Sequence, residues 1–117
     1  MELNFSGQNV VVIGGTSGIN RGIAECFAKN GANVAVASRS QNKVDDTVAS
    51  LKTYGTKVIG FTCDVRNLEE VKTAFSRIAE QFGTIDTLVS GAAGNFPAFV
   101  NGMSPSGFRT VIEIDLF

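Results

Sequence analysis

Residues Gln8 to Gly14 read QNVVVIG, in which Val10 to Ile13 form an unbroken apolar run ending on glycine. The residues that follow, Gly15-Thr16-Ser17-Gly18-Ile19-Asn20, open a segment with helical spacing. So short and β-branched a run predicts a strand covered on both faces, as in a parallel sheet. Glycine between strand and helix has two physical reasons. A tight turn needs positive φ, and a backbone without Cβ lets an anionic group come close. N–H groups at the start of the helix then face that anion, reinforced by the helix dipole. No Gly-Lys-Ser/Thr follows, so ATP or GTP hydrolysis of the phosphate-loop type is disfavoured.

The alternation continues along the chain. Ile19, Ile23, Phe27 and Ala28 recur at helical spacing, and Asn30-Gly31 supplies a stop. Asn33 to Ser38 predicts a second strand. Val44, Val48 and Leu51 predict a helix ending near Tyr54-Gly55, and Lys57 to Cys63 a third strand. Asn67 followed by Glu70 reads as a capping box. Val71, Ala74, Phe75, Ile78 and Phe82 then line one helical face until Gly83. Thr84 to Ser90 holds a fourth strand, and a loop runs from Gly91 to Met103. Ser104-Pro105 reads as N-cap and first residue of a last helix with Phe108, Val111 and Ile112 on one face. Strands and helices in strict alternation predict α/β architecture, a doubly wound parallel sheet or a piece of one.

Composition narrows the chemistry. The 117 residues suit one domain, 44% apolar and 18% charged, with ten basic against eleven acidic side chains and a net charge of −1. That balance argues against nucleic acid or an anionic membrane surface as the main partner. No apolar run approaches the roughly 18 residues of a membrane-spanning helix. Met1-Glu2-Leu3-Asn4-Phe5 lacks the layout of a signal peptide, so a cytoplasmic protein is expected. Histidine is absent, which excludes Ser-His-Asp and Cys-His nucleophiles and His-ligated metals within the chain. Cys26 reads as helix core and Cys63 as a strand-end residue; neither belongs to a C-x-x-C pair.

The glycine turn therefore carries the functional expectation. Thr16 and Ser17 add hydroxyl donors to its backbone N–H groups. At the end of the second strand, an NAD site usually places Asp or Glu to accept from the ribose 2′-hydroxyl. Here no acid occurs between Glu25 and Asp45, and the strand ends in Ser38-Arg39-Ser40 with Lys43 behind. A guanidinium flanked by hydroxyls suits a 2′-phosphate, which points to NADP(H). Asp64, after the third strand, stands where a carboxylate can accept from an adenine amino group. Ser90-Gly91-Ala92-Ala93-Gly94 is small throughout and lets a flat cofactor lie against the backbone beside the switch point.

Together these residues resemble the short-chain dehydrogenase/reductase superfamily, and Ser90 to Phe96 resembles its 2,4-dienoyl-CoA reductase branch. The resemblance runs from Asn9 to Leu116 and implies a Rossmann-type sheet over residues 1–117. It implies the pyrophosphate at Gly14, Thr16, Ser17, Gly18 and Ile19, and the 2′-phosphate at Ser38 and Arg39. It implies the adenine at Asp64 and Val65, and the ribose and nicotinamide at Ser90, Gly91 and Ala92. Asn95 and Phe96 would border substrate. The family's Thr-Gly-x-x-x-Gly-x-Gly appears with Ile13 for threonine and Asn20 for the last glycine. Its Asn-Asn-Ala-Gly appears as Ser90-Gly91-Ala92-Ala93, and Asp115 stands at the position of its helix asparagine.

The family's chemistry rests on a Ser and a Tyr-x-x-x-Lys. The single tyrosine, Tyr54, is followed four residues later by Val58, and Lys57 is at the wrong spacing. The resemblance thus implies the cofactor-binding part of an oxidoreductase, truncated before its catalytic segment and inactive alone. In the complete enzyme, expected to be a homo-oligomer, hydride would pass to or from a carbonyl or enoyl substrate, an acyl thioester among them. The alternative is a non-catalytic dinucleotide-binding or interaction module. Against it stands the fourth strand, expected to leave an apolar edge uncovered.

Overall fold

The computed structural model describes residues 4–14, 18–64, 66–90 and 108–113. Strand β1 (Asn9–Ile13) is buried at every residue, as its unbroken apolar run requires. Around it the chain forms α1 (Gly18–Lys29), β2 (Asn33–Ser38), α2 (Gln41–Lys52), β3 (Val58–Thr62), α3 (Leu68–Phe82), β4 (Ile85–Ser90) and β5 (Phe108–Glu113). The five strands pair in the order β3-β2-β1-β4-β5, and every pair is parallel. β1 thus pairs with β2 on one side and β4 on the other. That is the reversal of strand order at which doubly wound sheets open a crevice beyond the strands' carboxyl ends.

The period-two alternation of the strands divides the core in two. Val11, Ile13, Ala35, Ala37 and Leu88 meet Val71, Ala74, Phe75 and Ile78 of α3 on one face. Val10, Val12, Val34, Val36 and Val89 meet Ala24 and Ala28 of α1 and Leu51 of α2 on the other. Each buried valine or leucine contributes about 1.5–3 kcal/mol relative to exposure.

Three local readings are corrected. The buried stripe of α1 is Asn20, Ala24 and Ala28, spaced by one turn, while Ile19 is exposed and Ile23 and Phe27 are half-buried at the flank. The small side chains let the helix lie close to the sheet. Cys26, read as helix core, is on the exposed face of α1. At α3, Asn67 caps as expected, its Oδ1 accepting from the N–H groups of Glu69 (3.1 Å) and Glu70 (3.2 Å). The reciprocal bond of a capping box is not made, because the Asn67 N–H donates to the Asp64 carbonyl at 2.9 Å.

The largest correction is at residues 108–113. Their spacing predicts a helix, and the structure shows β5 paired with β4 in the register Thr87↔Thr110, Leu88↔Val111 and Val89↔Ile112. Six residues with Thr110, Val111 and Ile112 in a row satisfy either period, and an open strand edge offers backbone partners that a lone helical turn lacks. The same pairing covers the β4 edge that was expected to stand open. Ser104-Pro105, the expected helix start, lies outside the described residues, as do Gly91 to Met103 and Asp115.

Candidate functional site

Of the expected binding residues, the described ones, Gly14, Gly18, Ile19, Ser38, Arg39, Asp64 and Ser90, lie at or just beyond the carboxyl ends of β1, β2, β3 and β4. Gly14 follows β1 with φ +76°, exposed, and its N–H donates to the Ala37 carbonyl at 2.7 Å. That bond ties the start of the turn to β2 before the chain leaves the sheet. Gly18 opens α1 with φ +59° and is also exposed. Both conformations are ones that only glycine adopts without strain. Ile19 follows, 61% exposed at the mouth of the helix. The first turn of α1 contains no acidic residue, so nothing in it competes with an anion for the unpaired N–H groups. Thr16 and Ser17 lie outside the described residues.

Asn20, not among the expected binding residues, sits directly beneath this turn. It is 4% exposed, its Oδ1 is buried with no hydrogen-bond partner among the described residues, and a Cβ on Gly14 would stand 3.4 Å from its Nδ2. Asparagine here fills the space that a third glycine would leave open. The available signal was a polar residue in a stripe whose other members, Ala24 and Ala28, are apolar.

At the end of β2, Ser38 is half-buried and its Oγ accepts from the Ser40 N–H at 3.3 Å. Ser40 in turn caps α2, accepting from the Lys43 N–H at 3.4 Å. Both hydroxyls keep their O–H donors for a ligand. Arg39 is exposed between them and makes no hydrogen bond or ion pair among the described residues. The first turn of α2 likewise contains no acid. An exposed guanidinium and two half-buried hydroxyls thus lie side by side in the chain at the N-terminus of α2.

Asp64 follows β3 and is engaged by Arg66. Its Oδ1 accepts from the Arg66 backbone N–H (2.9 Å) and Nε (3.1 Å), and its Oδ2 from Nη2 (2.9 Å). The hydrogen bonds from the Arg66 side chain, then that from its N–H, hold the carboxyl down at about 2, with Arg39 adding a further positive field. The carboxylate is therefore ionised throughout the physiological range. Cys63 beside it is buried, and burial pushes its thiol above the usual range, helped by Glu70 and Asp64. Val65, Gly91, Ala92, Asn95 and Phe96 lie outside the described residues. Ser90 ends β4 with its backbone opposite Ile13, beside the switch point. Tyr54 is in the turn after α2, 41% exposed, rather than within that helix.

Known proteins share this arrangement. The family model described as short chain dehydrogenase matches residues 8–117. A peroxisomal 2,4-dienoyl-CoA reductase of Arabidopsis thaliana is 41% identical over 93% of this chain and 37% of its own length. A probable 2,4-dienoyl-CoA reductase of Bacillus subtilis is 32% identical over 92% of this chain and 42% of its own. Among solved structures, L-sorbose reductase from Gluconobacter frateurii, complexed with NADPH and L-sorbose, superposes with a TM-score of 0.75. It is 34% identical, covering 80% of this chain and 36% of that one. The chain spans less than half the length of these relatives. Parallel strand order, glycine turn and family match agree: the chain belongs to the short-chain dehydrogenase family.

Proposed function

We propose that this chain is the NADP(H)-holding part of a short-chain oxidoreductase whose complete form acts on a carbonyl or enoyl substrate. When bound, the nicotinamide supplies the hydride. The chain's own residues bind and orient the dinucleotide. The exposed turn at Gly14 and Gly18 admits the pyrophosphate to the N-terminus of α1, with Thr16, Ser17 and Ile19 flanking it. Ser38 and Arg39 take the 2′-phosphate, and Asp64 and Val65 the adenine. Ser90, Gly91 and Ala92 border the nicotinamide, and Asn95 and Phe96 the substrate. The likeness to 2,4-dienoyl-CoA reductases over most of the chain supports an enoyl thioester as the substrate class.

One observation carries the choice of cofactor: Arg39 is exposed at the end of β2 and unpaired among the described residues, with no acid in the turn that follows. An acid there would accept from a ribose hydroxyl and repel a phosphate; a guanidinium does the reverse. Titration of the chain with NADPH and NADH tests this. NADPH is expected to bind tighter by about tenfold or more, since a charge-assisted bond is worth about 1.5–3 kcal/mol. Arg39→Ala should remove most of the difference. Equal affinities, or a preference for NADH, would overturn the assignment.

A second reading, a binding module without chemistry of its own, is favoured by the pairing of β5 with β4, which covers the sheet's edge within the chain. Catalytic turnover of an enoyl thioester by the chain alone would exclude it.

A further inference from the structure

Beyond β3 the chain closes a short arch from Asp64 to Asn67. The Asp64 carbonyl accepts from the Asn67 N–H at 2.9 Å, which anchors the arch to the N-cap of α3. Among the described residues, the Asp64 carboxylate accepts three hydrogen bonds, all from Arg66. Two fall on Oδ1, from the backbone N–H and Nε, and one on Oδ2, from Nη2. An ionised carboxylate has about four acceptor positions. The open one is therefore on Oδ2. Two side-chain bonds from a planar guanidinium also fix the plane of the carboxylate, which a point charge does not do.

We propose that Arg66 is a specificity-determining positioning residue. It occupies three acceptor positions of Asp64 and holds the remaining one on Oδ2 for a single N–H donor, so that the site selects a 6-aminopurine over a 6-oxopurine. The inference rests on the dinucleotide reading above and adds the means by which the purine is told apart. A 6-amino group meets the open acceptor with a donor. A 6-oxo group brings a second acceptor against an anion, and its own donor is displaced to ring N1. A carboxylate free to turn can follow that donor; one clamped by Arg66 cannot. Discrimination thus comes from the clamp as well as from the charge.

The side chain of Arg66 is 74% exposed, so its replacement removes the two side-chain bonds that fix the carboxylate's plane, leaving the backbone one, with little loss of packing. The test is calorimetric titration of the chain, near neutral pH, with NADP+ and with its hypoxanthine counterpart. The parent should bind NADP+ about tenfold or more tightly than the hypoxanthine form. In Arg66→Ala that ratio should fall to within about threefold. Arg66→Gln, which keeps bulk but loses the charged fork, should behave the same, and Arg66→Lys should not restore the ratio. Losing a positive charge weakens both ligands alike, so the ratio reports the clamp rather than the general field.

Unfolding midpoints of the variants near neutral pH should lie close to the parent's, since the pair is on the surface and contributes little to stability there. Retention of the parent's ratio in Arg66→Ala and Arg66→Gln overturns the role of Arg66 while leaving the dinucleotide reading intact. A parent that binds NADP+ without discriminating does the same. A parent that binds neither ligand overturns both.

Discussion

Asn33 donates from Nδ2 to Oδ1 of Asn9 at 3.0 Å, side chain to side chain between register partners at the start of β2 and β1. Asn9 passes the connection on: its Nδ2 donates to the carbonyls of Phe82 (3.0 Å) and Thr84 (2.9 Å), and its N–H to Asp86 Oδ2 (2.9 Å). On the other side Asn33 Oδ1 accepts from the Lys57 N–H at 3.2 Å. One polar chain thus ties the approaches to β4, β1, β2 and β3 at the amino end of the sheet, opposite the crevice at the strands' carboxyl ends.

Asn9→Ala should therefore destabilise the fold without touching the site. The carbonyls of Phe82 and Thr84 lose their donor at a residue only 9% exposed, at a cost of about 1–3 kcal/mol. Urea unfolding should report the loss, and cofactor affinity per folded molecule should stay that of the parent. A large change in affinity would contradict the separation of the two ends.

Asn20→Ala should do the opposite. The buried Oδ1 has no donor among the described residues, so its removal lifts an uncompensated desolvation of about 1 kcal/mol, and alanine is the better helix former. The expected unfolding midpoint is equal to or above the parent's. A drop equivalent to more than about 1 kcal/mol would mean that Oδ1 finds a donor in solution.

Asp64 should titrate near 2, observable through its carboxyl carbon by NMR. Because the folded value lies below the ordinary 3.8, the contribution of the Arg66 pair is present in full above that value. It is lost as pH falls through the folded value. In Arg66→Ala the midpoint should climb part of the way back toward 3.8, the backbone N–H of residue 66 and the field of Arg39 still depressing it. An unmoved midpoint would show that the clamp is not formed.

The two thiols should part company toward an alkylating reagent. Cys26 is exposed on α1, whereas Cys63 is 3% exposed and its thiol is pushed up by burial and neighbouring carboxylates. Mass spectrometry should find one modified thiol per folded chain, at Cys26, and both after denaturation.

Elements whose pattern admits one period were legible without coordinates. The VVVI run could only be a doubly covered strand, and Val71, Ala74, Phe75, Ile78 and Phe82 fit a helix and nothing else. The glycine turn and the Ser38-Arg39-Ser40 strand end were legible for the same reason: backbone conformation and charge type are local properties. FRTVIE was not, since six residues satisfy both periods and the choice fell to an available strand edge. The role of Asn20 was hidden because the burial of a helix face depends on the sheet beneath it.

The order and chemistry of the chain thus settle the parallel α/β architecture, the glycine turn after β1 and the absence of a Tyr-x-x-x-Lys, all of which depend on neighbours in sequence. Folding adds what depends on neighbours in space. It brings Asn9 against Asn33, leaves Oδ1 of Asn20 beneath Gly14 without a donor among the described residues, and lays β5 along β4. Even the clamp of Arg66 on Asp64, two residues apart, exists because the end of β3 and the cap of α3 hold the chain in an arch between them. Spacing alone allows that contact; the surrounding fold selects it.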